Sequence, residues 1–251
     1  MQKIALVTGA SRGLGKNSAL ALAKSGVDII ITYASNHAAA DEVVKEILRL
    51  GRKAVALPLD LADSSTFAAF ATSVNSALHQ HFEMEHIDFL VNNAGMGIHV
   101  AFADTAEAQF DALMNVHLKG TFFLTQALLP QIKDGGKILN FSSGLTRFSF
   151  PGYSAYAMMK GGVEVLSRYL AKELGHRRIS VNTLAPGAIE TDFGGGAVRD
   201  NAELNTMIAA QTALGRVGLP DDIGSLVANL LNEGSNWING QRIEASGGML
   251  L

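Results

Sequence analysis

Lys3-Ile4-Ala5-Leu6-Val7-Thr8-Gly9-Ala10-Ser11-Arg12-Gly13-Leu14-Gly15 decides the fold of this chain. The first five residues read as a short buried strand. The glycine-rich turn Thr8–Gly15 follows at once, and from about Leu14 to Lys24 the apolar spacing becomes helical. A strand, a glycine-rich turn and a helix in that order are the context in which a dinucleotide-binding loop forms. Gly9 permits a tight turn, Gly13 lets backbone approach a pyrophosphate, and Gly15 lets the helix pack on the strand. Free N–H groups and the positive end of the helix dipole would face the phosphates, with Ser11, Arg12 and Leu14 beside them.

Outward from this loop, apolar runs alternate with helical patterns. Strands are expected at 3–7, 28–33, 53–58, 87–91, 137–142, 178–184 and 242–245, and the longest helices at about 105–131 and 154–175. This alternation predicts one α/β domain spanning 1–251, a doubly wound Rossmann fold whose seven-stranded parallel sheet is covered by helices on both faces. No linker, repeat or low-complexity segment divides it. The chain has 251 residues, enough for one large core, and 48% are hydrophobic. Its net charge is −3, so no basic footprint for nucleic acid is present. It has no cysteine, which removes disulfides, thiolate catalysis and cysteine metal sites. No apolar run has the length of a membrane span, and the first strand leaves no room for a signal peptide, so a cytoplasmic location is expected.

Tyr156 and Lys160 lie four residues apart within an expected helix, which places phenol and ammonium on one face. A fixed ammonium favours the phenolate and is expected to lower the Tyr156 pKa, making the pair an acid/base unit. His79, His81 and His86, with Glu83 and Glu85 between them, match no metal-ligand spacing, and no metal is expected. His117 is expected to pack within its helix.

Taken together, these motifs resemble the short-chain dehydrogenase/reductase family. Thr8–Gly15 is similar to its cofactor loop and Asn92-Asn93-Ala94-Gly95 to the motif after its fourth strand. Ser143 stands 13 residues and Asn115 41 residues before Tyr156, the spacing of its catalytic set. Pro186-Gly187, Ile189 and Thr191 are similar to its nicotinamide-side loop. The resemblance implies that Tyr156 protonates a carbonyl oxygen, that Ser143 hydrogen-bonds the same oxygen, and that Lys160 tunes Tyr156 and holds the nicotinamide ribose. It further implies that Asn115 holds a water relaying protons to Lys160. Ser142 should point to the other face. Asp60 and Leu61 are expected at the adenine, and Asn92, Ala94 and Gly95 beside the adenosine ribose.

Asp28 stands at the wrong end of its strand to meet a ribose. The far end, Tyr33-Ala34-Ser35-Asn36, offers no carboxylate, so Arg12 with Ser35 and Asn36 could receive a 2′-phosphate, and NADP(H) is expected over NAD(H). Met96, Leu145, Phe148, Phe150, Tyr153 and Phe193 are expected to wall an apolar ketone or aldehyde pocket, with Phe193–Val198 and its three glycines forming a mobile lid. Three functions remain open: a general carbonyl reductase, a 3-oxoacyl-carrier-protein reductase docking on Lys133, Lys137, Lys172, Arg177 and Arg178, and a non-catalytic NADP(H) sensor. A homotetramer is expected, with the apolar end Met249-Leu250-Leu251 at an interface.

Overall fold

The computed structural model describes residues 2–251, apart from the side chain of Glu233. Seven strands form one sheet: β1 (Ile4–Val7), β2 (Asp28–Tyr33), β3 (Ala54–Pro58), β4 (Ile87–Asn92), β5 (Ile132–Phe141), β6 (Ser180–Pro186) and β7 (Arg242–Ala245). Their order is β3-β2-β1-β4-β5-β6-β7, and every pairing is parallel. The helices are α1 (Gly13–Lys24), α2 (His37–Arg49), α3 (Phe67–Ala77), α4 (Glu107–Met114), α5 (Thr121–Leu128), α6 (Ser154–Glu173), α7 (Ala197–Asp200), α8 (Ala202–Ala210) and α9 (Pro220–Leu231).

The apolar runs of the strands follow from burial on both faces. In β2, Ile30 joins the core under α3, while Ile29 and Ile31 join the core under α1 and α9. Such period-two alternation splits one hydrophobic run between two layers. Strand order reverses between β1 and β4, where Val7 is paired with Ile31 on one side and Val91 on the other. A crevice opens at the carboxyl ends of the strands at this switch point.

Several local features differ from the sequence expectations. Strand β5 begins five residues earlier than 137, at Ile132, because pairing with β4 continues across an irregularity between Ile87 and Phe89. The helix expected over 105–131 is interrupted by a turn of π-helix, Asn115–Gly120. The glycine segment is not an open loop: Phe193–Gly196 forms a tight helical turn leading into α7. Gly194, Gly195 and Gly196 adopt φ of 62°, 74° and 80°, a left-handed run that glycine enters without a Cβ penalty.

The apolar terminus departs from expectation at its first residue. Met249 is only 2% exposed and packs with Ile208, Val217, Phe148 and Phe150, so it is docked on the chain's own core. Leu251 is exposed. The expected basic face is reduced rather than absent: Lys172 and Arg178 stay exposed, but the other three are engaged. Lys137 is buried and donates to Asn232 O and Ser235 Oγ, Lys133 faces Asp88 at 3.7 Å, and Arg177 pairs with Asp134 at 2.7 Å. Among the described residues, no helix is long and apolar enough to cross a membrane.

Candidate active site

One cavity of about 990 Å³ runs along the carboxyl edge of the sheet. At one end lies the turn between β1 and α1. Gly9 has φ +62°, and a Cβ there would meet the Cα and Cβ of Ala94 at 2.8 Å. Gly13 has φ +57° and lies on the cavity wall with Ser11, Arg12 and Leu14. Gly15 is not on the wall. It packs on the loop instead, where a Cβ would come within 2.9 Å of Ala10 Cα. No side chain caps α1, so its first N–H groups keep their donor capacity toward the cavity. This cradle fits a pyrophosphate.

Thr32, Ala34, Ser35 and Asn36 continue the wall. One sequence expectation fails here, and a second residue has an added task. The Tyr33 ring does not line the cavity and packs against His37, centroids 5.3 Å apart. Strand alternation turns it away from Thr32 and Ala34. The Asn36 side chain is engaged in capping α2, accepting from Ala39 N at 2.9 Å, although the residue still borders the cavity. Arg12 is exposed at the cavity edge, with no side-chain hydrogen bond or ion pair among the described residues. The wall carries two carboxylates, Asp60 and Asp192. Asp60 follows β3 and accepts from Ala62 N at 2.9 Å, with Leu61 beside it on the wall. Asp28 lies at the opposite edge of the sheet, where it accepts from Lys53 N at 2.9 Å.

The Asn-Asn-Ala-Gly segment divides its labour differently from expectation. Asn92 is the last residue of β4 and turns into the sheet, donating to Asn140 Oδ1 at 2.8 Å and Thr125 Oγ1 at 3.0 Å. Asn93 takes the cavity side and donates to Thr8 O at 2.9 Å. It ties this turn to the glycine loop, while Ala94 and Gly95 line the wall. Strand alternation carried one residue further would have selected Asn93 over Asn92.

Ser143, Tyr156 and Lys160 meet midway along the cavity. Ser143 follows β5 and begins a short helical turn, its Oγ accepting from Leu145 N at 3.2 Å. Tyr156 and Lys160 stand one turn apart on α6, both buried. Burial holds the Tyr156 phenol well above its ordinary pKa, the Ser143 hydroxyl pulls the other way, and Tyr153 adds to the rise. Lys160 is lowered to about 8 by burial. Its Nζ donates to Phe141 O at 2.8 Å and stands 5.7 Å from the Tyr156 ring centroid. The expected lowering of Tyr156 by Lys160 is therefore not met. Burial penalises both charged forms, and it outweighs an ammonium that is anchored on a carbonyl. Ser142 points away, donating to Glu164 at 2.6 Å.

The π-turn redistributes the residues around Asn115. Asn115 does not line the cavity; Val116 and His117 do. A wider turn rotates the following side chains relative to an α-helix. His117 is thus buried at the site rather than packed within its helix. Its ring lies edge-on to Tyr156 at 5.3 Å, and Nε2 stands 2.7 Å from Met96 O. Burial first and the charge of Lys160 second lower its pKa to about 3 against the Met96 hydrogen bond, so it is neutral at ordinary pH.

Beyond Tyr156 the cavity becomes aromatic and apolar. Met96, Leu145, Phe148, Phe150, Tyr153 and Phe193 all line it. Phe193 lies 5.7 Å from Tyr156, and Phe148 and Phe150 meet edge-on at 5.8 Å. Pro186, Gly187, Ile189 and Thr191 border the passage between the lobes. The sequence reading missed His99, Met207, Ile208 and Met249 on this wall. All four lie outside the recognisable motifs, and the fold alone brings them in.

A family profile described as enoyl-(acyl carrier protein) reductase matches residues 9–250. The tetrahydroxynaphthalene reductase PfmaG of Pestalotiopsis fici is 37% identical over 257 residues, covering 98% of this chain and 91% of that one. Among solved structures, the promiscuous reductase LugOII, which catalyses keto-reduction at C1 during lugdunomycin biosynthesis, is 39% identical with a TM-score of 0.94. That alignment covers 99% of this chain and 98% of LugOII. The angucycline C-6 ketoreductase LanV, solved with bound NADP, is 36% identical with a TM-score of 0.93, covering 99% and 95%.

Proposed function

The chain belongs to the short-chain dehydrogenase/reductase family and is an NADP-dependent oxidoreductase; on that premise we propose that it reduces the carbonyl of a bulky, largely apolar aromatic ketone. The observation that carries this reading is the Tyr156 hydroxyl, buried and kept protonated beside Ser143, between a glycine-lined lobe and an aromatic one.

Bound NADPH supplies hydride to the carbonyl carbon. The residues of the chain manage the oxygen. Ser143 donates to it as negative charge develops, and Tyr156 gives up its proton there. Burial keeps the proton on Tyr156 across the neutral range but also makes it harder to give up, so the acid role needs an ammonium closer to the phenol oxygen. Lys160 would turn from Phe141 O toward the nicotinamide ribose and, once closer to the phenol oxygen, ease its deprotonation. Thr191 and Ile189 orient the carboxamide. Gly9, Gly13 and the start of α1 hold the pyrophosphate.

Preference for NADPH over NADH rests on Arg12, which has no ion pair among the described residues and can meet a 2′-phosphate at a wall whose acidic residues are Asp60 and Asp192, the latter already paired with Arg199. The aromatic lobe matches the chemistry named for LanV, which was also solved with NADP and rabelomycin. An acyl-carrier-protein substrate ranks below it, since Lys133, Lys137 and Arg177 are already paired and only Lys172 and Arg178 of the expected face stay exposed without an ion pair among the described residues. A homotetramer is proposed on the resemblance and on the exposed Phe122, Met158 and Tyr169 of α5 and α6.

The test is a panel of ketones assayed by loss of NADPH absorbance, running from small aliphatic ketones to bicyclic and tricyclic aryl ketones. Turnover that rises with aryl size supports the proposal. No turnover of any ketone refutes it in favour of a non-catalytic NADP(H) sensor.

A further inference from the structure

Arg147 sits just beyond the helical turn that Ser143 begins, outside the catalytic set. Its guanidinium spends its donors in one direction. Nε and Nη2 make a bidentate pair with Glu244 at 2.8 and 2.7 Å. Nη1 donates to Leu250 O at 3.0 Å, and Nη2 donates to Met249 O. The same guanidinium lies 5.3 Å from the Phe148 ring centroid. Glu244, on β7, is held in turn by Arg242 and Ser246, each at 2.8 Å. Arg242 reaches back to Ser143 O at 3.3 Å and to Glu164 at 2.8 Å.

One planar fork therefore joins the serine turn, the last strand and the C-terminal tail. The two side chains flanking it, Phe148 and Met249, both face the aromatic lobe and pack in the same cluster. The six-residue tail beyond β7 pairs on one side with residues 211–214, through Leu250 N to Gln211 O at 2.9 Å, Leu214 N to Gly247 O at 3.0 Å and Ala213 N to Gly248 O at 3.2 Å; Arg147 ties its other side to the serine turn and β7. The carbonyls of Met249 and Leu250 both accept from one charged, five-donor partner, Arg147.

We propose that Arg147 is a specificity-determining positioning residue, a clasp that holds Met249 and Phe148 as the far wall of the ketone lobe. It touches neither substrate nor cofactor. The proposal rests on the reading of that lobe as a ketone site, and it sets how large a ketone is bound rather than how fast hydride is passed.

The test uses the full chain with Arg147→Met, which keeps the length and the contact with Phe148 but removes every donor, and Arg147→Lys, which keeps the charge but not the fork. Two ketones are compared, cyclohexanone and the bicyclic 1-tetralone. Released wall contacts should raise KM for 1-tetralone about tenfold in Arg147→Met. KM for cyclohexanone, KM for NADPH and kcat on cyclohexanone should stay within about twofold, and Arg147→Lys should fall between. A merely structural role would move both ketones together, and that result, or an unmoved KM for 1-tetralone, overturns the clasp.

Hydrogen–deuterium exchange at residues 246–251 supplies a readout that needs no turnover. Faster exchange there in Arg147→Met, with protection elsewhere unchanged, is expected; unchanged exchange in the tail overturns the proposal. If the wild-type protein reduces neither ketone, the functional reading of the lobe fails separately. The exchange experiment, with 1-tetralone binding to the NADP+ complex by calorimetry, still decides the clasp: tighter binding to wild type than to Arg147→Met supports it, and equal binding rejects it.

Discussion

Replacing Lys160 with Met should make the ligand-free protein more stable while it abolishes reduction. Lys160 is 5% exposed, and burial lowers its pKa from 10.5 to about 8. Keeping that ammonium charged at pH 7 therefore costs about 3 kcal/mol relative to water. Methionine has a similar length, carries no charge and removes the penalty. It also removes the donor to Phe141 O, a loss of about 1–2 kcal/mol. The net gain is about 1–2 kcal/mol, or a rise in Tm of about 2–8 °C for a chain of this size. The pH dependence follows from linkage. Between about 8 and 10.5 the folded wild type has released this proton while the unfolded chain still binds it, so wild-type stability rises with pH across that window. The advantage of Lys160→Met should be complete below about pH 8 and vanish toward 10.5. Melting curves of both proteins without cofactor at pH 7, 9 and 10 measure it. A variant that melts no higher at pH 7, or a gap that stays constant to pH 10, refutes the assignment of a buried, strained charge. A confirmed gap would mean that the chain keeps a destabilising group for its chemistry.

Tyr156→Phe should lower kcat by about 10²-fold or more while leaving NADPH affinity within twofold, since only the transferable proton is lost; retention of a tenth of kcat sinks the acid role. Arg12→Ala should cut kcat/KM for NADPH about ten- to a hundredfold and leave NADH nearly unchanged, and equal wild-type use of both cofactors would defeat the phosphate assignment. Gly9→Ala forces a Cβ to 2.8 Å from Ala94 Cα at φ +62°, which should cost at least about 2 kcal/mol and weaken NADPH binding. A Tm within 1 °C of wild type would show that the loop yields. Light scattering after gel filtration should give about four times 26.5 kDa, and a monomer at micromolar concentration rejects the tetramer.

The sequence by itself determined those features that depend on short spacing. The central strands β1, β2 and β4 were legible as apolar runs because a parallel strand buried on both faces must be apolar throughout, whereas the edge strand β7, Arg-Ile-Glu-Ala, is only half-buried. The turn Thr8–Gly15 was legible because a strand, three glycines and a helix leave few other conformations. Tyr156 and Lys160 share a face because four residues are about one helical turn. The six expected aromatic and apolar residues of the substrate lobe lie beside these motifs, and all reach the cavity wall.

Tertiary structure alone decided what depends on side-chain direction at irregular backbone, or on partners distant in the chain. The π-turn at Asn115–Gly120 brings His117 to Tyr156 and leaves Asn115 off the wall, and helical spacing carries no trace of such a turn. Asn92 turns into the sheet and Asn93 out of it, a choice made by where β4 ends. Met249 lies on the cavity wall and its carbonyl accepts from Arg147, 102 residues away. The direction of the Tyr156 pKa was misread for the same reason. Spacing places an ammonium near the phenol, but how deeply the fold buries both, and which carbonyl captures the ammonium, decides which charge survives.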